Sequence, residues 1–114
     1  MDTSYVFAGL VVKNRDQAVA WYERLLGRPP DMLPNDAEAV WQLTESASVY
    51  LVADADRAGR GAITLVVADL DSIRIQAAER GILTQAVQEI PGAGRKAVID
   101  DPDGNTVAIV ELFK

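Results

Sequence analysis

The chain has 114 residues, no cysteine and no histidine, 49% hydrophobic and 25% charged residues, and a formal net charge of −6. This describes an ordinary globule and excludes disulfides, thiol nucleophiles and thiolate metal sites, together with the commonest general base and metal ligand. The acidic balance argues against nucleic acid and anionic membranes as partners and favours neutral or cationic ligands.

Tyr5 to Val12 is an apolar, β-branched run and reads as the first strand. Asn14 is a good N-cap with Gln17 three residues on. From Arg15 to Leu26, Ala18, Tyr22, Leu25 and Leu26 fall on one helical face, and Gly27 and Pro29-Pro30 stop the helix. Met32-Leu33 suggests a short edge strand, and Val40–Leu43 with Ser48–Ala53 a hairpin around Thr44-Glu45-Ser46. The acidic residues Asp31, Asp36, Glu38, Asp54 and Asp56 read as solvated surface. The polar stretch 54–61 reads as a linker. A strand over 62–67, an N-cap at Asp69 and a helix over 70–80 follow, stopped by Gly81. Leu83 to Ile90 is expected to hold a strand. Pro91-Gly-Ala-Gly94 with Arg95 and Lys96 reads as a solvated loop, with a flexible lid as the alternative.

The last hairpin is the plainest signal. Val98-Ile99 enter Asp101-Pro102-Asp103-Gly104, and Thr106–Val110 return. Pro102 presets one corner, Asp103 tolerates the next and Gly104 supplies positive φ, so the two aspartates read as turn residues and not as a catalytic pair. No apolar run approaches the ~20 residues of a membrane span, and Met1-Asp-Thr-Ser is no signal peptide, so a cytoplasmic protein is expected.

Element order repeats. Leu10-Val-Val-x-x-x-Asp16 returns as Leu65-Val-Val-x-x-x-Asp71, and the two hairpins correspond. This implies two β-α-β-β-β units in a single domain, with module 1 over about 4–54, a linker over 55–61 and module 2 over about 62–114. Side chains alternate across strands, so each sheet has two distinct faces. Leu10, Val12, Val49, Leu51, Leu65, Val107 and Ile109 share one wholly aliphatic face, which the helices must cover. The opposite face carries Phe7, Ser48 and Tyr50 in the first unit and Ala62, Thr64, Thr106 and Ala108 in the second. That face is apolar, underfilled and uncovered, as expected of a cavity wall or an interface.

Two β-α-β-β-β units, a helix ending in Ala20-Trp-Tyr-Glu-Arg-Leu-Leu-Gly27, and Asp101-Pro-Asp-Gly-Asn105 before the last strand resemble the vicinal oxygen chelate superfamily. Its members include glyoxalases, extradiol dioxygenases and bleomycin resistance proteins. The resemblance covers essentially the whole chain. It implies an α+β fold of curved mixed sheets with helices on the outer faces, and troughs that enclose a site when modules pair. It also implies four metal-ligand positions, which in this register are Phe7, Tyr50, Ala62 and Ala108. Only Tyr50 among them carries an oxygen, so no metal and no cofactor are expected. The expected site residues are therefore ligand-binding ones: Phe7, Ser48, Tyr50, Ala62, Thr64, Thr106 and Ala108. Trp21 and Trp41 are read as packing residues. The resemblance thus implies a homodimeric, metal-independent small-molecule-binding protein, sequestering a hydrophobic or cationic compound such as an antibiotic. The alternative is a lyase, isomerase or dioxygenase-like enzyme with a non-family site, for which no base–nucleophile pair stands at recognisable spacing.

Overall fold

In a computed structural model describing Met1–Lys114, local sequence chemistry and observed elements agree closely. Strand β1 spans Val6–Val12 and leads into helix α1, Arg15–Leu26. The Asn14 side chain accepts from the Gln17 amide at 2.9 Å, which satisfies one of the free N–H groups of the first turn. Strands β2 (Met32–Asn35), β3 (Glu38–Thr44) and β4 (Ala47–Ala53) complete the first sheet, in the order β1-β4-β3-β2. The second half repeats this arrangement. Strand β5 (Ala62–Val66), helix α2 (Leu70–Glu79) and strands β6 (Gln88–Ile90), β7 (Gly94–Asp100) and β8 (Thr106–Leu112) give a sheet ordered β5-β8-β7-β6. In each sheet the first and last strands pair in parallel and the remaining pairs are antiparallel. The fold is therefore α+β, two βαβββ modules forming mixed sheets. No helix is long and apolar enough to cross a membrane.

The aliphatic faces do what alternation requires. Leu10, Val12, Val49, Leu51, Val107 and Ile109 are buried and share one core with Tyr22 and Leu25 of α1 and Leu70 and Ala77 of α2. Trp41 is fully buried in that core, and its indole N–H donates to the Arg28 carbonyl at 3.0 Å, as the packing reading expects. Trp21 packs edge-on against Tyr22 at the core margin. The helices also touch each other, with the Arg80 guanidinium donating to the carbonyls of Arg24 and Leu25 at the open end of α1.

One expectation is narrowed and another is corrected in part. The strand expected within Leu83–Ile90 is confined to Gln88–Ile90. Before it, the Gln85 amide donates to the Val98 carbonyl, the one backbone bond that holds 83–87 to the sheet, too little for a ladder. Of the 91–96 segment only the tip is a solvated loop, with Pro91 and Gly92 exposed, and Gly94, Arg95 and Lys96 belong to strand β7. The Ala93 amide closes a turn on Ile90, and Gly94 is buried against the Glu111 carbonyl. Arg95 pairs with Asp71 and Glu111, tying β7 and β8 to the first turn of α2.

The Asp101–Asn105 turn closes with the Gly104 amide donating to the Asp101 carbonyl at 3.0 Å, and Gly104 has φ 101°. Its aspartates are turn residues, as expected, and it also joins the two modules. Buried Asn105 donates from Nδ2 to the Val11 carbonyl and to Asp101 Oδ2, and its Oδ1 accepts from the Gly61 amide, at 2.8–2.9 Å. Asp101 Oδ2 also accepts from the buried Tyr22 hydroxyl at 2.8 Å. The stretch read as a linker is thus clamped between β1 and this turn.

This network predicts a pH dependence. Burial, then the hydrogen bond to Asp101, push the Tyr22 phenol above its ordinary value of 10.0. Above about pH 10 the unfolded chain releases that proton while the folded chain keeps it, so stability falls as pH rises. Tyr22→Phe should cost about 1 kcal/mol near pH 7 through the lost hydrogen bond. Urea unfolding should show that gap closing by about pH 11, where the wild-type chain alone carries the ionisation penalty. A gap that stays constant would mean that the phenol is not held by this contact.

Candidate functional site

The face opposite the core is open on both sheets. Alternation along β1 puts Phe7, Gly9 and Val11 on it, and register places Gly9 beside Tyr50 and Phe7 beside Ser48. The Tyr50 ring lies directly over Gly9. A Cβ there would sit 2.4 Å from the Tyr50 ring, so a larger residue at position 9 would push the ring off the strand. Phe7 meets Tyr50 edge-on at 6.4 Å between centroids and Tyr5 at 4.8 Å, forming a short aromatic wall. Phe7 remains 59% exposed, although it belongs to a strand whose other face is core.

A groove of about 360 Å³ runs along this wall, lined by Phe7, Met32, Pro34, Glu38, Val40 and Tyr50. Glu38 gives it one acidic group, held by a hydrogen bond from the Asn35 side chain at 3.1 Å. Ser48 is buried beneath the wall with its hydroxyl bonded to that of Tyr5, so it supports the site rather than facing a guest. Sequence reasoning does not find Met32, Val40 or Glu38 as site residues, and places Glu38 among the solvated acidic groups. Its position opposite Val52, one strand beyond β4, is the signal that could have found it.

The second sheet repeats the geometry with small side chains. Ala62, Thr106 and Asp100 lie side by side, as do Thr64, Ala108 and Val98. Thr106 donates to Asp100 Oδ1 at 3.4 Å. Thr64 also borders an apolar cleft of about 470 Å³ between the modules, with Leu25, Leu43, Val66 and Ile73 among its walls. The structure therefore brings Phe7, Ser48 and Tyr50 together, and Ala62, Thr64, Thr106 and Ala108 together. No cavity of the chain is lined by both sets.

No family model matches the chain, and no curated protein sequence does. Solved structures do match. A glyoxalase/bleomycin resistance protein from Catenulispora acidiphila is 38% identical, with a TM-score of 0.89 over 96% of this chain and 98% of that one. The chain belongs to the glyoxalase/bleomycin resistance family. Two more distant structures share its fold. One is a bleomycin-binding protein in complex with bleomycin, 21% identical with a TM-score of 0.79 over 96% of this chain and 98% of that one. The other is an antibiotic-binding protein from a Streptomyces species, 19% identical with a TM-score of 0.77 over 99% and 97%.

Within this glyoxalase/bleomycin resistance protein, the four positions that would carry metal ligands do not suit a metal. Phe7 offers a phenyl ring, Ala62 and Ala108 offer methyls, and Tyr50 offers one phenol oxygen. A divalent ion needs several oxygen or nitrogen donors converging on one point. No three Asp or Glu side chains of the chain cluster closely enough to replace them. What the troughs offer instead is aromatic surface, small apolar walls and a few polar groups.

Proposed function

We propose that this family member binds and sequesters a small hydrophobic or cationic molecule, such as an antibiotic, without using a metal. The observation that carries this reading is the aromatic groove itself. Tyr50 lies over Gly9, Phe7 stands edge-on to it, and Glu38 is the single charge among apolar walls. Apolar walls with a few orienting polar groups are the usual composition of small-molecule sites. Aromatic faces beside a carboxylate favour a planar or cationic guest. That structurally similar proteins bind bleomycin or other antibiotics supports the class of ligand.

We also propose that the protein works as a homodimer. The helices spend their apolar faces on the shared core, which leaves Phe7 and Val66 about 60% exposed on uncovered sheet faces. Apolar surface left open in this way marks an interaction face. A second copy related by a two-fold axis would set the aromatic trough of one subunit against the small-residue trough of the other. Phe7 and Tyr50 would then oppose Ala62 and Ala108 across a gap wide enough for a planar guest.

Sedimentation equilibrium at micromolar concentration should give a particle of twice 12.3 kDa, and a clean monomer contradicts the dimer. Ala108→Trp should fill the trough, abolish binding of bleomycin or of an uncharged aromatic probe, and leave the dimer intact. Dissociation of the dimer with this variant would make the face an interface and not a site.

A further inference from the structure

We propose that Arg57 and Arg60 form an oxyanion-binding subsite at one end of the Phe7–Tyr50 trough, so that the preferred guest carries a carboxylate, sulfonate or phosphate on an aromatic body. This rests on the reading of the trough as a ligand site, and within that reading it selects an aromatic guest with an anionic group over a purely cationic one.

A second groove, of about 340 Å³, is lined by Gly9, Val11, Arg57, Arg60 and Gly61. Gly9 and Val11 are the residues that follow Phe7 on the trough face of β1, so this groove continues the aromatic one. Tyr50, lying over Gly9 with its hydroxyl beside that backbone, stands where the two meet. One trough therefore runs along β1 from Phe7, past Tyr50 over Gly9, to Val11 and the two arginines, while Glu38 stands in the same cross-strand row as Val11, two strands away on β3.

Those arginines are free. Neither guanidinium takes part in an ion pair or side-chain hydrogen bond within the chain, although the protein carries 17 acidic residues. Asp54 and Asp56, in the same segment, pair with neither, and Asp54 instead accepts from the Asp56 amide. The segment holding the arginines is itself anchored. The Gly59 amide donates to the Val11 carbonyl and the Gly61 amide to Asn105, so the stems of Arg57 and Arg60 leave a fixed backbone. The Tyr50 ring covers Gly9, and Gly61 faces Leu10 and Asn105, so the exposed side chains of this groove are the two guanidiniums themselves. Guanidinium forks match planar and tetrahedral oxyanions bidentately, and two of them at a trough end select for that group.

Two probes that differ by one charged group test this: anilinonaphthalene sulfonate and its uncharged parent, phenylnaphthylamine, titrated by fluorescence against the full chain. The wild-type protein should bind the sulfonate more tightly than the parent. The double variant Arg57→Gln/Arg60→Gln should lose roughly tenfold or more in affinity for the sulfonate and keep its affinity for the parent. Phe7→Ala should weaken both probes. If the double variant binds the sulfonate as well as wild type while Phe7→Ala still weakens both, the subsite is wrong and the trough stands. A wild-type protein that prefers the parent likewise overturns the subsite and leaves the trough standing. If Phe7→Ala leaves both probes unaffected, the trough reading fails, and the subsite falls with it.

Discussion

Asn105→Ala is expected to lower the melting temperature by roughly 10–20 °C, the consequence of losing about 3–5 kcal/mol in a chain of this size. Asn105 is completely buried, and its side chain makes three hydrogen bonds to groups far apart in sequence. Truncation leaves the Gly61 amide with no partner in the folded state. It also takes one donor each from the Val11 carbonyl and Asp101. An unsatisfied buried polar group costs about 1–3 kcal/mol, more where a charge is involved. Asn105→Asp keeps the shape but sets a second carboxylate against Asp101. Its folded-state pKa would be raised, so the penalty should shrink as pH falls, whereas that of Asn105→Ala should not. A melting temperature within roughly 2–3 °C of wild type for the alanine variant, about what a typical surface substitution gives, would show that the turn does not clamp the modules.

Gly59→Ala should be nearly as damaging, for a steric reason. Gly59 has φ 84°, and a Cβ there would lie 2.0 Å from the Asp103 carbonyl oxygen, a backbone atom that cannot rotate away. The added methyl carries left-handed strain and must also force the linker off the Asp101–Asn105 turn, together about 2–5 kcal/mol. Gly104→Ala separates the two contributions. Its φ of 101° brings strain, but the nearest atom to its Cβ is at 3.3 Å, so the cost should stay near ~1–3 kcal/mol. Urea unfolding of both variants should rank Gly59→Ala as the less stable. The reverse order would mean that the two turns are not packed back to back.

Both predictions depend on contacts that the sequence did not announce. Asp101-Pro102-Asp103-Gly104 was legible as a turn because turn chemistry is local, a matter of four residues and their φ preferences. That Asn105 reaches Val11, 94 positions away, was not legible, since nothing near Asn105 encodes that partner. The helices, the caps at Asn14 and Asp69 and the core faces of β1, β4, β5 and β8 were readable for the same local reason, as periodicity and alternation are written in neighbouring residues. Gly92 lies in open space as a loop glycine should, but Gly94 misled, because it is a strand residue pressed against Glu111.

The candidate site divides in the same way. Phe7, Tyr50 and their opposite numbers Ala62 and Ala108 followed from alternation along strands. Glu38, Arg57 and Arg60 escaped because two of them sit in a turn segment whose path over the trough is set by tertiary packing, and one lies at a strand start that resembled solvated surface.

The most direct test of the central claim is amide chemical-shift mapping of the protein titrated with phenylnaphthylamine. A trough completed between subunits predicts that Phe7, Gly9 and Tyr50 shift together with Thr106 and Ala108, residues that share no cavity within one chain. Shifts confined to the cleft around Leu25, Leu43 and Ile73, with Phe7 and Ala108 unmoved, would contradict it.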